Sequence, residues 1–565
     1  MPLPSPAAAR AIAARAVAAP VLLLPALALA TFMGPRNVQA QQPTTAQLIA
    51  ITDRVFAPWN STHSPGCGVG IARGGTTLLE RGYGMANLTG GRPIMPSTIL
   101  ESGSVAKQFT ATAVMLLVAD GKLRLDDDVR QYLPELRSYG RTITVRHLLT
   151  HTSGLREWSN LVAWQGWPRG TRVHTQSDAF KIITDQQALN YPVGDHYSYT
   201  NSGFLLTRTL VERVSGMDLE AFTAARIFKP LGLTNTSWRG DHTRLVVGLG
   251  QAYRRAPDGW HIDMPNDNVI GAGGLWTTVG DWLKWNEHLT RKTLGSAVMD
   301  SLTQRMRLTN GLEIAYALGL TVSQYRGTPQ IAHSGSTAGY STYLARFPEL
   351  GNLSVAVMCN AAGAPATNYT YAIVDALHPE LAKAAARDTV ATDQQALRAW
   401  RGLYEDGRWH SMSTIDTSNG TVRFSGAPIR ALRDGTYLLG NQVARLAVSA
   451  DGRTRTIRTT TSDGDSVVHT WRQGDRWTPT AAELEALAGR YRNEEIGVTF
   501  TVAVVDGKLT VSPRHGIVET LTPTIRDAFD GDDNAVWFVK GKNGKVREMH
   551  FGTSRVWDFV SVRQQ

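Results

Sequence analysis

Ser104-Val105-Ala106-Lys107 places a hydroxyl and an amine three residues apart at the start of a helical run, and no other lysine in the chain has a serine at that distance before it. Apolar residues recur at helical spacing from Val105 through Phe109, Val114, Leu117 and Val118 to a stop at Asp120-Gly121. Side chains three apart share a helix face, and the first turn lies at the positive end of the helix dipole. A serine hydroxyl is a poor nucleophile at neutral pH until a base stands within hydrogen-bond reach. A neutral lysine amine at this spacing can take its proton. The spacing alone fits an exposed helix start equally well, so its weight comes from what accompanies it.

Tyr199-Thr200-Asn201 and His333-Ser334-Gly335 follow in that order. Taken singly, the tyrosine reads as a core residue with a satisfied hydroxyl, and His-Ser-Gly as a turn. Together they resemble the three motifs of the serine β-lactamase and penicillin-binding protein superfamily: Ser-x-x-Lys, Tyr-x-Asn and Lys/His-x-Gly. The resemblance runs from about Gln42 to Ala376. It takes in His147-Leu148-Leu149-Thr150-His151-Thr152-Ser153-Gly154 and the stretch Gly273-Gly274-Leu275-Trp276-Thr277-Thr278 before Asp281.

The resemblance implies an α/β sandwich of the β-lactamase/transpeptidase type, an antiparallel sheet with helices on both sides. It implies that Ser104 is the nucleophile of an acyl-enzyme and Lys107 its base, which needs the lysine partly neutral. Burial and nearby positive charge favour that state. Tyr199 would relay a proton to the leaving group, and Asn201 would bond Lys107 or the acyl amide. Ser104 and Ser336 would offer backbone N–H groups beside Gly335 as the oxyanion hole. No metal or organic cofactor is implied. His333 completes the catalytic set and stands where many β-lactamases carry lysine. Histidine is mostly neutral at pH 7, which weakens a β-lactam or C-terminal-carboxylate reading and suits aminopeptidases and esterases of the superfamily.

The elements that must position these groups are legible on either side of them. Thr45 to Phe56 reads as a helix. Cys67–Ala72 and Thr76–Tyr83 read as strands joined at Gly74-Gly75, Ser341–Phe347 and Leu353–Cys359 as two more, and Tyr369–Leu377 as a closing helix. His333 begins or precedes a strand. In the implied fold the strands carrying Cys67 and Cys359 are the first and last of one sheet, adjacent and antiparallel. A Cys67–Cys359 disulfide and two buried free thiols both stay open. His147 and His151 could share a helical face as zinc ligands do, but the Glu of the His-Glu-x-x-His pattern is missing and the segment reads as structural.

The first 40 residues carry arginines and no acid. They run through Val21-Leu22-Leu23-Leu24 to Leu29-Ala30 and close on Val38-Gln39-Ala40. This reads as a signal peptide cleaved after Ala40, hence a secreted or periplasmic protein without stable membrane insertion. The chain of 565 residues has 42% hydrophobic residues and a formal charge of +10, enough apolar content for sizeable cores. No basic run is interleaved with aromatics, so no nucleic-acid partner is expected. The expected partner is a small peptide, amide or ester substrate. The oligomeric state stays open.

The hydrolase domain is expected over 41–380. Beyond a linker-like stretch the pattern turns to short strands with Asp-Gly and Asn-Gly turns. Leu397-Arg398-Ala399-Trp400-Arg401-Gly402-Leu403-Tyr404 is echoed by Leu484-Glu485-Ala486-Leu487-Ala488-Gly489-Arg490-Tyr491. Two lipocalin-like antiparallel barrels of about eight strands are expected over 395–475 and 483–565. A serine hydrolase followed by two such barrels resembles the D-aminopeptidases of the superfamily, in which a loop of the last barrel reaches the active site. That implies cleavage of D-amino-acid amides or peptides. A carboxylesterase and a penicillin-binding or sensing protein with little turnover are the competing readings. The acidic stretch Asp527-Ala528-Phe529-Asp530-Gly531-Asp532-Asp533 lies in the last module; Asp527 or a neighbour is the expected contact for the substrate amine, and a solvated acidic turn fits the same residues. Trp158, Trp164 and Trp167 are expected either to rim the pocket or to pack in the core.

Overall fold

Strands from the two ends of the hydrolase region pair with one another, and this brings the separated motifs together. The computed structural model describes residues 42–381, 389–440, 442–450, 452, 454–461 and 469–565. The stretch read as a signal peptide, 1–40, lies outside the described residues. Six antiparallel strands follow the order Thr321–Tyr325, Thr328–Thr337, Tyr340–Phe347, Leu353–Cys359, Cys67–Arg73 and Thr76–Tyr83. Cys67 registers directly with Cys359, and a disulfide joins them.

Side chains alternate across this sheet as the pleat requires. Val69, Ile71, Val355 and Val357 face the helices Thr45–Val55 and Ala366–Leu377, packing with Leu48, Phe56 and Ile373. Ala72, Ala356 and Met358 face the other way, toward Phe109, Trp282 and Trp285 of the helices Lys107–Ala119 and Val279–Arg291. Covered on both sides, Leu353–Cys359 is buried along its whole length. The helix behind Ser104 is equally enclosed. It is buried from Lys107 to Leu117, so it is a central element rather than an amphipathic surface helix.

The C-terminal region beyond Asp393 is mostly β. A closed eight-stranded barrel runs from Gly402–Asp406 to His469–Gly474. A nine-stranded sheet follows, in which the first strand, Gly489–Asn493, pairs with the last, Val556–Arg563. About eight strands were expected there. Between Ile517 and Asp530 the chain breaks into three short strands, and Pro523 cannot donate to a ladder. The sequence echo is a structural one. Each module opens with a short helix, Gln394–Arg398 or Ala481–Leu487, that leads into its first strand. Tyr404 and Tyr491 are each fully buried, and each donates its hydroxyl to the carbonyl four residues before it, Trp400 at 2.8 Å and Leu487 at 2.6 Å.

The last module is keyed into the α/β domain. Leu161, Val162 and Trp164 of the helix Trp158–Trp164 belong to the same apolar cluster as the barrel's own core. Trp164 lies 5.0 Å from Phe551 and 5.1 Å from Phe559, ring centre to ring centre, and Arg514 stacks over Trp167 at 3.8 Å. Of the three tryptophans, Trp164 is therefore core. Arg156 and Glu495 form a buried ion pair at 2.7 Å across the same joint. Among the described residues, no helix is long and apolar enough to cross a membrane.

Candidate active site

Gly103 and Gly335 allow the turn that carries Ser104 to press against the strand Thr328–Thr337. Gly103 has φ +52, and a Cβ there would fall 2.6 Å from the Ser336 amide nitrogen. A Cβ on Gly335 would fall 2.1 Å from the Ser102 carbonyl. Only glycine fits at such an approach. The 3₁₀ turn Gly103–Ala106 carries Ser104, and the helix begins at Lys107. Ser104 and Ser336 accordingly line a common cleft, along with Gly335 on one flank.

Lys107 is completely buried. Its Nζ stands 3.1 Å from Ser104 Oγ, 2.8 Å from Asn201 Oδ1 and 2.7 Å from the Ala272 carbonyl. Burial drives its pKa far below the ordinary lysine value; Glu157 works against this and Arg555 adds to it. A neutral amine has two N–H donors and one lone pair. The Asn201 and Ala272 oxygens can only accept, so they take the two donors. The lone pair is left for the Ser104 hydroxyl proton.

Tyr199 packs under this pair, with Nζ of Lys107 5.0 Å from its ring centre. Its hydroxyl is buried, and although Ser104 is near enough to pull its pKa down, no partner meets hydrogen-bond geometry. Burial outweighs that pull and raises the pKa, so Tyr199 is held as the phenol. Glu157 fixes Asn201 from behind. Its fully buried carboxylate accepts from the Asn201 backbone N–H at 2.6 Å and the Thr200 hydroxyl at 3.2 Å, at the start of the helix Asn201–Ser215. A carboxylate is well placed at the positive end of a helix.

His333 lies within its strand. Its Nδ1 is 2.6 Å from the Ser334 carbonyl, which can only accept, so that nitrogen carries the proton. Nε2 is then the acceptor for the Tyr316 hydroxyl at 2.9 Å. Burial above all pushes its pKa down to about 3. The ring offers no positive charge at neutral pH.

The structure brings together Ser104, Lys107, Tyr199, Asn201, His333, Gly335 and Ser336. It does not bring Asp527. That carboxylate is held by Lys540 at 2.7 Å, and Asp527 lines neither flank of the cleft. The last module instead sends in Arg555, from the turn between the strands Val546–Thr553 and Val556–Arg563. Arg555 lines the flank shared by Ser104, Tyr199 and His333. Its guanidinium sits 5.0 Å over the Tyr199 ring and 4.0 Å from Glu157 Oε2.

On the opposite flank the cleft is lined by Glu101, Asp267, Trp158 and Leu205. Glu101 is 2% exposed. Its Oε1 accepts from the Gly274 N–H at 2.9 Å, while Oε2 has no partner. Burial, then Asp267, raise its pKa to about 8, against the Gly274 hydrogen bond and Arg239. Sequence reading passed over Glu101, although it stands three residues before the nucleophile.

His151 is more than a scaffold histidine. It is fully buried at φ +58 and packs 4.2 Å from the Tyr199 ring and 4.5 Å from Tyr316. Its Nδ1 accepts from the Thr200 N–H at 3.3 Å, which makes it a positioning residue for the tyrosine. His147 caps its own short helix through Thr144. Among the described residues, no group of three or more His, Cys, Asp or Glu side chains could hold a metal.

Residues 48–378, more than half of the chain, match the family model described as Beta-lactamase. Penicillin-binding protein 4* of Bacillus subtilis (strain 168) is 28% identical over 306 residues, which cover 49% of this chain and 64% of that protein, a little under two thirds of its length. A D-aminopeptidase of Cereibacter sphaeroides (strain KD131 / KCTC 12085) is 26% identical over 473 residues, 82% of this chain and 86% of that protein. The octameric penicillin-binding protein homologue from Pyrococcus abyssi shares the fold with TM-score 0.53 at 19% identity, covering 92% of this chain and 99% of its own. A D-amino acid amidase from Ochrobactrum anthropi SV3, solved in complex with D-phenylalanine, does so with TM-score 0.50 at 18% identity, covering 59% and 99%.

A histidine with a native pKa near 3 and an unfolded value near 6.5 makes the unfolded state bind more protons over that interval. Stability therefore falls as pH drops from about 6.5 toward 3, by up to about 1.4 kcal/mol per pH unit for this one group. Replacing His333 with Asn should flatten the slope of unfolding free energy between pH 4 and 6 by close to one proton, whatever the variant's absolute stability. An unchanged slope in urea titrations across that range would show that His333 is not buried neutral.

Proposed function

We propose, for a chain that belongs to the beta-lactamase family and is a serine hydrolase, that its substrates are D-amino-acid amides or peptides with a free amino terminus. Ser104 Oγ attacks the carbonyl carbon while its proton passes to Lys107. The backbone N–H groups of Ser104 and Ser336 receive the developing oxyanion. Tyr199, held as a phenol, delivers a proton to the leaving nitrogen and regains one from Lys107, so that the serine proton is passed on, and Asn201 orients Lys107 and the acyl amide. Water then releases the acyl group from Ser104.

One observation carries the amine requirement. Glu101 is a buried carboxyl with one oxygen unpartnered, on the flank of the cleft beside the nucleophile, with Asp267 alongside. An unmatched buried oxygen is costly, and a substrate ammonium would satisfy it. Such an ammonium would also hold Glu101 ionised against the burial that raises its pKa. The preference for D residues is supported by the relatives named D-aminopeptidase. Export, to the periplasm or outside the cell, is supported by the leader pattern before Gln41 and by the Cys67–Cys359 disulfide, a bond suited to an oxidising compartment.

Steady-state hydrolysis of D-Ala p-nitroanilide, L-Ala p-nitroanilide and p-nitrophenyl acetate by the wild type and Ser104→Ala tests the reading. D-selective anilide turnover that falls at least 10³-fold in the variant is expected, a scale typical of removing a covalent nucleophile. Ester turnover alone would make the protein a carboxylesterase, and a stable acyl adduct without product a penicillin-binding or sensing protein. Material recovered from export-competent cells should begin at Gln41. An intact Met1 terminus would contradict export.

A further inference from the structure

The two flanks of the cleft carry opposite charge. Ser104 and Ser336 line both, so a substrate carbonyl held at Ser104 lies between Glu101 and Asp267 on one side and Arg555 on the other. Arg555 is the only cationic side chain lining either flank among the described residues. His333 is neutral there, for the tautomer fixed by Ser334 and Tyr316 leaves no charge on the ring. Lys107 spends its donors on Asn201 and Ala272.

Arg555 is also held in place. Its backbone carbonyl accepts from the Asn190 side chain at 2.9 Å and the Glu157 N–H at 3.3 Å, and the neighbouring Ser554 carbonyl accepts from the Ser198 hydroxyl at 3.1 Å. Asn190 takes the Trp557 N–H at 3.0 Å in return, bracketing the turn from both sides. The guanidinium has only a long 4.0 Å approach to Glu157, and the side chain is 40% exposed. A planar fork with free donors, on a backbone anchored beside the cleft, matches a carboxylate.

We infer that Arg555 of the last barrel binds the free carboxylate of the leaving residue, so that the preferred substrate is a dipeptide with both termini free, its ammonium at Glu101 and Asp267 and its carboxylate at Arg555. This rests on the aminopeptidase reading for its acyl half only. The reaction balances as hydrolysis. The Ser104 Oγ–carbon bond forms and the peptide C–N bond breaks, and the leaving nitrogen takes the proton that serine gave up. Water then cleaves the ester to give two free amino acids. Upstream there must be a peptidase or hydrolase that yields short peptides with a D residue at the amino end.

Four probes separate the halves: D-Ala-D-Ala, its C-terminal amide, and the N-acetyl form of each. Wild type, Arg555→Gln and Arg555→Lys are compared by kcat/KM. Arg555 also acts on Lys107 through its charge, a loss common to every probe, so the ratio between acid and amide isolates the carboxylate contact. Arg555→Gln should lose at least about tenfold more on the dipeptide than on its amide, mainly through KM, and Arg555→Lys should recover part of that ratio. An equal loss on both, or a wild type indifferent to amidation, would overturn the carboxylate site. Equal turnover of free and N-acetyl substrates would overturn the amine reading while leaving the Arg555 ratio intact. A wild type that cleaves none of the four would overturn both.

Discussion

Burying an amine where no water can solvate its charge is the constraint on which the rest of this structure turns. Lys107 lies wholly inside, and an ionised ammonium there would cost several kcal/mol. Burial favours the neutral amine, whose two N–H groups can face Asn201 and Ala272 and whose lone pair can face Ser104. Each partner must therefore be held independently of the lysine. Ala272 comes from the loop before the strand Leu275–Thr277. Asn201 is fixed by Glu157 at the mouth of its helix, and Ser104 is pressed toward the Ser336 amide by two glycines.

The support continues into the last β module. Glu157 binds Asn201 through its carboxylate and the Arg555 carbonyl through its own N–H. One residue thus ties the base to the turn that the barrel inserts. That turn cannot drift, because the joint behind it is built as a core. Trp164 lies among the barrel's phenylalanines, and Arg156 and Glu495 meet with their side chains 8% and 9% exposed. A buried pair of that kind is weak support for stability but sets register well, since breaking it strands a charge. Among the described residues, the first barrel contributes none to the lining of the cleft.

Much of this was legible beforehand, and what was missed follows a pattern. The three motifs and the strands Thr76–Tyr83 and Leu353–Cys359 were readable because each is a local arrangement of residue types. The register Cys67 to Cys359 settled a disulfide that sequence left open. Glu101 was overlooked because a lone glutamate reads as surface until its burial is known. Arg555 was missed because an arginine in a β-turn has no local signature, and what matters is which loop the barrel inserts. Asp527 drew attention through its acidic run, yet Lys540 occupies it. His151 read as scaffold because its segment matched one, and only packing against Tyr199 and Tyr316 gives it a further role.

The most direct test of the account is the protonation state of Lys107. NMR of protein labelled at the lysine side chains, assigned by comparison with Lys107→Arg, would follow its ε-carbon and amine through pH 5 to 11. One lysine already neutral at pH 7, titrating well below the others and absent from the variant, is expected. A Lys107 signal that titrates with the surface lysines near 10.4 would mean that the buried amine is charged at working pH. Ser104 would then have to lose its proton to another group.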